Sequence, residues 1–195
     1  MQKDTKKLIY DTFIELLEKK PFDRITVKDI VETCEINRNT FYYYYSDIYD
    51  LLEEVFMKEL NELVEAHKKG ESWGTAFLKI AYTAYSHKKV INNICASRSY
   101  EYFENYMYKV CNNIMIDLVQ FMAQGMEVSE ADIEFIASFY EYAFVGIISE
   151  WFRTGMREEP LALVSQFSLV TGNIRYSLRK AEKKLRLEKE NGNTL

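Results

Sequence analysis

From Thr26 to Leu52 the sequence reads TVKDIVETCEINRNTFYYYYSDIYDLL, and no other stretch limits the possible folds so tightly. It contains two short helices with room between them only for a tight turn. Thr26 is a hydroxyl placed to cap free N–H groups, and Val27, Ile30, Val31 and Cys34 follow at the three- and four-residue spacing of one helix face. Glu35 and Ile36 make the turn, Ile36 being the apolar plug in the angle between the helices, and Asn37 caps the second helix. This is helix-turn-helix spacing. In the second helix Phe41 and Tyr45 lie one turn apart and face inward, which turns Arg38, Asn39, Tyr42 and Tyr43 outward and leaves Tyr44 at the edge. A guanidinium, an amide and phenol hydroxyls on one exposed face suit the base edges and phosphates of a major groove. Four consecutive tyrosines also serve as amphipathic filler, with rings half buried and hydroxyls wet. The order of residues around them decides.

Thr26-Val27-Lys28-Asp29-Ile30, then Thr40-Phe41-Tyr42-Tyr43-Tyr44-Tyr45, then Asp50-Leu51-Leu52 stand in one continuous register. This frame resembles the N-terminal DNA-binding domain of the TetR family of transcriptional regulators, in which Thr-Val-x-Asp-Ile opens the second helix and Thr-Phe-Tyr-x-Tyr-Phe forms the recognition helix. The resemblance implies an all-α protein with a three-helix head over residues 1–47 and a ligand-binding and dimerisation domain over 48–195. It also implies a homodimer that binds a near-palindromic double-stranded DNA operator and answers to a small-molecule effector, as a repressor. Arg38, Asn39 and Tyr43 are the candidates for base edges, and Thr26, Lys28, Tyr42 and Tyr44 for phosphates, with Thr40 in the same contact set. Three positions depart from the family pattern. Glu35 stands where the family usually has Gly, in a turn that calls for positive φ. Asn39 replaces a frequent Gly and can bond an adenine edge. Ile48 replaces the phosphate-binding Lys at the start of the fourth helix.

Charge argues the other way. The chain carries a formal net charge of −5, whereas a duplex reader ordinarily gains affinity from Lys and Arg that release counterions. Residues 1 to 54 hold eight Lys and Arg against twelve carboxylates. The arrangement that rescues binding puts Lys3, Lys6, Lys7, Lys28 and Arg38 on the DNA side with the acids turned away.

Around this head the chain reads as helices throughout, consistent with 48% hydrophobic residues, two prolines and seven glycines. A first helix spans about Lys3 to Lys20, with Ile9, Phe13, Leu16 and Leu17 as its stripe and Pro21 as its stop. Ser46 and Asp47 cap a fourth helix running through Leu51, Leu52, Val55, Phe56, Leu60, Leu63 and Val64 to Gly70. Helices then begin at Trp73, Lys88, Ser99, Ser129 and Pro160, with Gly125 and Gly155 as stops. Aromatic residues concentrate between Trp73 and Tyr108, and Phe77, Tyr82, Tyr85, Phe103, Tyr106 and Met107 are the candidates for an effector pocket, plain core packing being the alternative. The last two helices carry more apolar surface than one covered side needs. Phe139, Phe144, Ile147, Ile148, Trp151, Phe167, Val170 and Ile174 are accordingly assigned to a dimer interface, and the segment EYAFVGIISEWFRTGM resembles the dimer helix of a regulator subgroup. The tail from Arg179 is read as a solvated helix end.

Cys34, Cys95 and Cys111 are far apart in helical patterns and read as buried thiols. No targeting signal or membrane-length apolar run is present, so the protein is expected in the cytoplasm and not in a membrane. His67 and His87 stand alone, without metal spacing, phosphate loop or nucleophile motif; no catalysis, metal or cofactor is expected. Two rival functions stay open. One is a TetR-like protein that docks on a partner protein instead of DNA, motivated by Ile48 and the acidic head. The other is a helical-bundle enzyme or small-molecule carrier.

Overall fold

The computed structural model describes residues 2–68 and 72–192, with side chains given for 5–58, 61, 72 and 74–191. Every regular element among them is a helix: α1 Gln2–Leu17, α2 Val27–Thr33, α3 Arg38–Tyr44, α4 Ile48–Lys68, α5 Trp73–Ser86, α6 Lys88–Cys95, α7 Tyr100–Met122, α8 Glu130–Arg153, α9 Pro160–Thr171 and α10 Asn173–Gly192, plus a 3-10 turn at Phe22–Arg24. The starts follow from side chains that satisfy free N–H groups. Asn37 Oδ1 accepts from Asn39 N at 2.8 Å, Asp47 Oδ1 from Tyr49 N at 2.8 Å, Ser72 Oγ from Thr75 N at 3.1 Å and Ser129 Oγ from Asp132 N at 3.2 Å. The stops at Gly125 and Gly155 have φ of 79° and 76°, a left-handed conformation that glycine adopts without strain.

The chain forms two compact units, Met1–Phe103 with Trp151–Pro160, and Glu104–Glu150 with Leu161–Leu195. In the first, α1 packs on α2 and α6, α2 on α3, and α4 on α5. Ile9, Phe13, Leu17, Phe22, Ile25, Ile30, Phe41, Tyr45, Leu51 and Leu52 make a buried core for the head. Each fully buried Phe there stabilises by about 1.5–3 kcal/mol relative to exposure. Aromatic edges extend this core: Phe22 meets Phe13 at 6.2 Å and Tyr49 at 5.1 Å, and Tyr49 meets Tyr102 at 4.6 Å. Polar ties run beside them. Asn93 Nδ2 donates to Leu17 O at 2.7 Å, Tyr49 Oη and Ser99 Oγ share a bond of 3.0 Å, and Tyr102 Oη donates to Glu53 at 2.5 Å. The segment from Asn93 to Tyr102 therefore holds both the end of α1 and the beginning of α4.

The second unit has its own core of Tyr106, Ile114, Met115, Leu118, Val119, Ile136, Ala137, Val145, Leu163, Ile174 and Leu178. Four expectations need correction. Trp151 is 3% exposed, its ring stacked 6.4 Å from Tyr85 and its Nε1 donating to Glu158 O at 3.0 Å, so it serves the first unit's interior and not a dimer face. Ile174 is 0% exposed inside the second unit and likewise has no area left for a partner. The last apolar helix is two helices, α9 and α10, because the chain turns at Gly172. α1 ends at Leu17, before Lys20, and its last residues form a turn ahead of Pro21. The side chains of Lys3, Leu60, Leu63, Val64, His67 and Trp73, and Gly70 as a whole, lie outside the described residues.

Candidate nucleic-acid interface

Two short helices joined by four residues, Cys34 to Asn37, present the candidate surface, and local hydrogen bonds fix both. Thr26 and Asp29 form a reciprocal capping box: Asp29 N donates to Thr26 Oγ1 at 3.2 Å and Thr26 N to Asp29 Oδ2 at 2.8 Å. The Thr26 hydroxyl proton goes to the same carboxylate at 2.7 Å, so Thr26 has no spare donor for a phosphate while the box is closed. Those bonds from Thr26, with Lys20 at 3.1 Å adding its charge, hold the Asp29 carboxyl below its ordinary value. At the other end of α2, Ile36 N donates to Val31 O at 3.0 Å and Glu35 N to Glu32 O at 3.3 Å, the double bond of a Schellman stop. That motif needs a left-handed residue, and Glu35 supplies it at φ 53°. The turn is kept although glycine is absent.

The α3 helix divides as its spacing demands. Phe41 is 0% and Tyr45 2% exposed, while Tyr42 is 52% and Tyr43 68% exposed. Arg38 and Asn39 are exposed, Thr40 and Tyr44 half-buried. Phe41 anchors its neighbours, with ring centroids 5.6 Å from Tyr42 and 5.7 Å from Tyr45. Tyr44 is braced edge-on by Tyr43 at 4.9 Å. Desolvation, then the Glu54 charge, raises the Tyr45 hydroxyl well above its ordinary range, and a neutral phenol is what this interior accommodates. A rigid base thus presents Arg38, Asn39, Tyr42 and Tyr43 together.

The lysines differ from expectation, since acids accompany them. Lys6 pairs with Glu54 at 2.7 Å and lies 5.4 Å over the Tyr45 ring, Lys7 pairs with Asp11 at 2.5 Å, and Lys28 with Glu32 at 3.7 Å. The reason is helical spacing: two of these pairs are four residues apart on one helix, where opposite charges meet. These pairs are solvent-exposed, and such pairs contribute about 0–1 kcal/mol, so they exchange readily for other anions. Ile48, where the family carries lysine, is half-buried at the first position of α4, behind the Asp47 cap.

The other candidates scatter. Of the effector set, Phe77 and Tyr85 are half-buried, Tyr82 is 46% exposed and Phe103 is 1% exposed, all in the first unit. Tyr85 donates to Glu159 at 3.2 Å, and Phe103 packs between Phe56 at 4.3 Å and Phe152 at 6.3 Å. Tyr106 and Met107 belong to the second unit. Of the interface set, Phe139, Ile147 and Val170 are 63%, 45% and 47% exposed, while Phe144, Ile148 and Phe167 are half-buried, with Phe144 and Phe167 packed together at 4.8 Å. Phe135 and Leu169, 74% and 77% exposed, extend the same two helices' exposed apolar surface and were not singled out by periodicity. Sequence reasoning also missed Asn93, and Glu141 with Asn112. The available signal for Glu141 is a carboxylate in step with Ala137, Val145 and Ser149 on an apolar stripe. Among the described residues no group of His, Cys, Asp or Glu is arranged to hold a metal, and no helix is long and apolar enough to cross a membrane.

Comparison with known proteins agrees with this geometry. The description "Bacterial regulatory proteins, tetR family" matches residues 9–55, and "Transcriptional regulator C-terminal region" matches residues 71–172, over half of the chain. The HTH-type dhaKLM operon transcriptional activator DhaS of Lactococcus lactis subsp. lactis (strain IL1403) is 31% identical over 74 residues, 38% of this chain and 40% of that protein. The match thus spans less than half the length of that relative. A solved structure of the dihydroxyacetone kinase operon activator DhaS superposes with a TM-score of 0.66 at 21% identity, covering 91% of this chain and 98% of that one. A TetR transcriptional regulator from Streptococcus agalactiae 2603V gives 0.61 at 20% identity, covering 93% and 95%. At such identities the two structures speak for the fold alone. The family is one of transcriptional regulators, and it does not favour a head that works by docking on a partner protein. The helix-turn-helix frame, the family matches over both parts of the chain and the shared fold converge: this chain belongs to the tetR family of bacterial regulatory proteins and is a DNA-binding transcriptional regulator.

Proposed function

We propose that two copies of this chain bind one near-palindromic operator, each laying α3 in one of two successive major grooves, and that a small-molecule effector sets the occupancy. Labour divides near residue 47, with the head reading DNA and residues 48–195 sensing and dimerising. The observation that carries the reading is the α3 surface: Arg38, Asn39, Tyr42 and Tyr43 are exposed together on a helix whose other side is anchored by buried Phe41 and Tyr45. Arg38, Asn39 and Tyr43 read base edges; Lys28, Tyr42 and Tyr44 hold phosphates, Thr40 lies within the contact set, and Thr26 contributes through the capped helix end. The dimer forms through the exposed apolar surface of α8 and α9, at Phe139, Ile147 and Val170, with Phe144, Ile148 and Phe167 beneath it. Effector binding shifts the population of head positions through α4 and through the ties from Asn93 and Ser99 to the head.

Repression by occupying the operator is the first reading. Activation is the second, favoured by the relative described as an operon transcriptional activator. Selection from a random duplex pool, followed by titration of the recovered site, tests the DNA reading. Arg38→Ala and Tyr43→Ala are each expected to weaken binding by about 1–3 kcal/mol while the urea midpoint stays put. Absence of saturable binding at low salt, or variants that bind like the wild type, would sink it.

A further inference from the structure

Tyr49, Glu53 and Phe56 recur at steps of four and three along α4 and so share one face of that helix, while Leu51 and Leu52, buried in the head core, lie on its other side. The segment that opens α7 covers this face at successive points. Tyr49 Oη and Ser99 Oγ share a hydrogen bond of 3.0 Å, and the Tyr49 and Tyr102 rings meet edge-on at 4.6 Å. Tyr102 Oη donates to Glu53 Oε1 at 2.5 Å, and the Phe103 ring lies 4.3 Å from that of Phe56. All six residues belong to the first compact unit. The bond to Glu53, then desolvation, pushes the Tyr102 hydroxyl up to about 12, so it remains a donor at neutral pH.

Contacts of two kinds along two turns of α4 fix its direction as a single contact does not. Apolar packing alone is non-directional and lets a helix roll or slide, whereas hydrogen bonds tie particular atoms and hold the register. A third helix closes the joint. Phe103, 1% exposed, packs also on Phe152, with ring centroids 6.3 Å apart and planes 25° from parallel. Phe152 stands in the last turn of α8, the continuous helix that carries the exposed Phe139 and Ile147 of the proposed dimer surface. Phe103 thus touches both the dimer helix and the helix whose Leu51 and Leu52 are held in the head core.

We propose that Tyr102 and Phe103 are positioning residues that determine which operator spacing the dimer accepts: they hold α4, and with it each head, at one angle, so that the two α3 helices match half-sites at one separation. The proposal rests on the dimeric DNA reading above and adds that spacing selectivity is built into this joint and requires no effector. It gives Phe103, an effector candidate by its position in the sequence, a different role. Each base pair added between half-sites moves one of them by about 3.4 Å and turns it by about 34–36°. A fixed pair of heads then loses one set of groove contacts. A loosened pair follows the displaced half-site, and its affinity for the best-spaced site falls because the heads must be ordered on binding.

The test is selection from a random duplex pool with the full wild-type chain, Tyr102→Phe and Phe103→Leu. Titrations follow on the recovered duplex, on the same duplex with one base pair added between half-sites, and on an isolated half-site. Tyr102→Phe removes one hydroxyl from a side chain that is 41% exposed and leaves the core intact, so it decides the question even where Phe103→Leu fails to fold. The wild type is expected to recover one spacing and to lose about tenfold or more in affinity on the added base pair. The variants are expected to recover the same half-site sequence at several spacings, to lose less than about threefold on the added base pair, and to bind the isolated half-site as the wild type does. Ile114→Val, a truncation in the second unit's core, is expected to keep the single spacing and so separates the joint from general loosening. A single spacing recovered by the folded joint variants, or equal broadening by Ile114→Val, overturns the proposal and leaves the DNA reading intact. Wild-type protein that recovers half-sites without a fixed spacing refutes the dimeric reading, and one that recovers no sequence refutes the DNA reading; either result overturns the proposal as well.

Discussion

Glu35 is the residue at which sequence and geometry meet most directly. Only Cys34 to Asn37 separate α2 from α3, and the Schellman stop demands one left-handed residue, which this chain fills with glutamate at φ 53°. An L side chain there costs about 1–2 kcal/mol relative to glycine, and Glu35 is exposed, so its side chain has little burial to offset that cost. Glu35→Gly is expected to raise folding stability by about 1 kcal/mol, read as a higher urea midpoint with an unchanged slope. A lower midpoint would show that the side chain contributes more than the backbone loses. The strain was legible in the sequence because the family that the Thr26 frame resembles usually has Gly at this position of the turn. The fate of Thr26 was not: a hydroxyl that caps a helix and one that binds phosphate look identical until Asp29 Oδ2 is seen to accept its hydrogen bond at 2.7 Å.

At the scale of elements, helix beginnings were readable and helix ends less so. Thr26, Asn37, Asp47, Ser72 and Ser129 announce beginnings because each carries an oxygen that satisfies a free N–H. The break at Gly172 was hidden by an apolar run continuing on both sides of it, from Leu163 to Ile174. The α4 helix carries the clearest departure from its family, since Ile48 takes the place of a phosphate-binding lysine. Ile48→Lys is expected to tighten operator binding at low salt and to steepen the dependence of log K on log salt by about 0.9, one added phosphate contact. The cation also sits at a helix N-terminus, where it costs about 0.3–1 kcal/mol of stability. An unchanged salt slope would mean that the beginning of α4 makes no phosphate contact in this protein.

For the whole molecule, the sequence shows how much apolar surface exists but not who covers it. Trp151 and Ile174 look as suited to a partner as Phe139 does, yet the first two are 3% and 0% exposed within one chain and Phe139 is 63% exposed. Periodicity marks a face, and only packing says which neighbour it meets. Phe139→Glu and Ile147→Glu, singly and together, are expected to convert a dimer to monomers in light scattering while each chain stays helical, and operator binding is expected to fall with dimerisation. Dimers that persist in the double variant would place the interface elsewhere. The paired lysines carry a consequence for the protein among the many competing sites of a chromosome. Lys6, Lys7 and Lys28 of the head are matched to Glu54, Asp11 and Glu32 in exposed pairs, so each exchanges a carboxylate for a phosphate before it adds to nonspecific affinity, and the net gain per contact is smaller than for a lone cation. Such a protein spends little of its time parked on the wrong sequence. Its residence is decided by Arg38 and the uncharged groups of α3 beside it, so discrimination rises as raw grip falls.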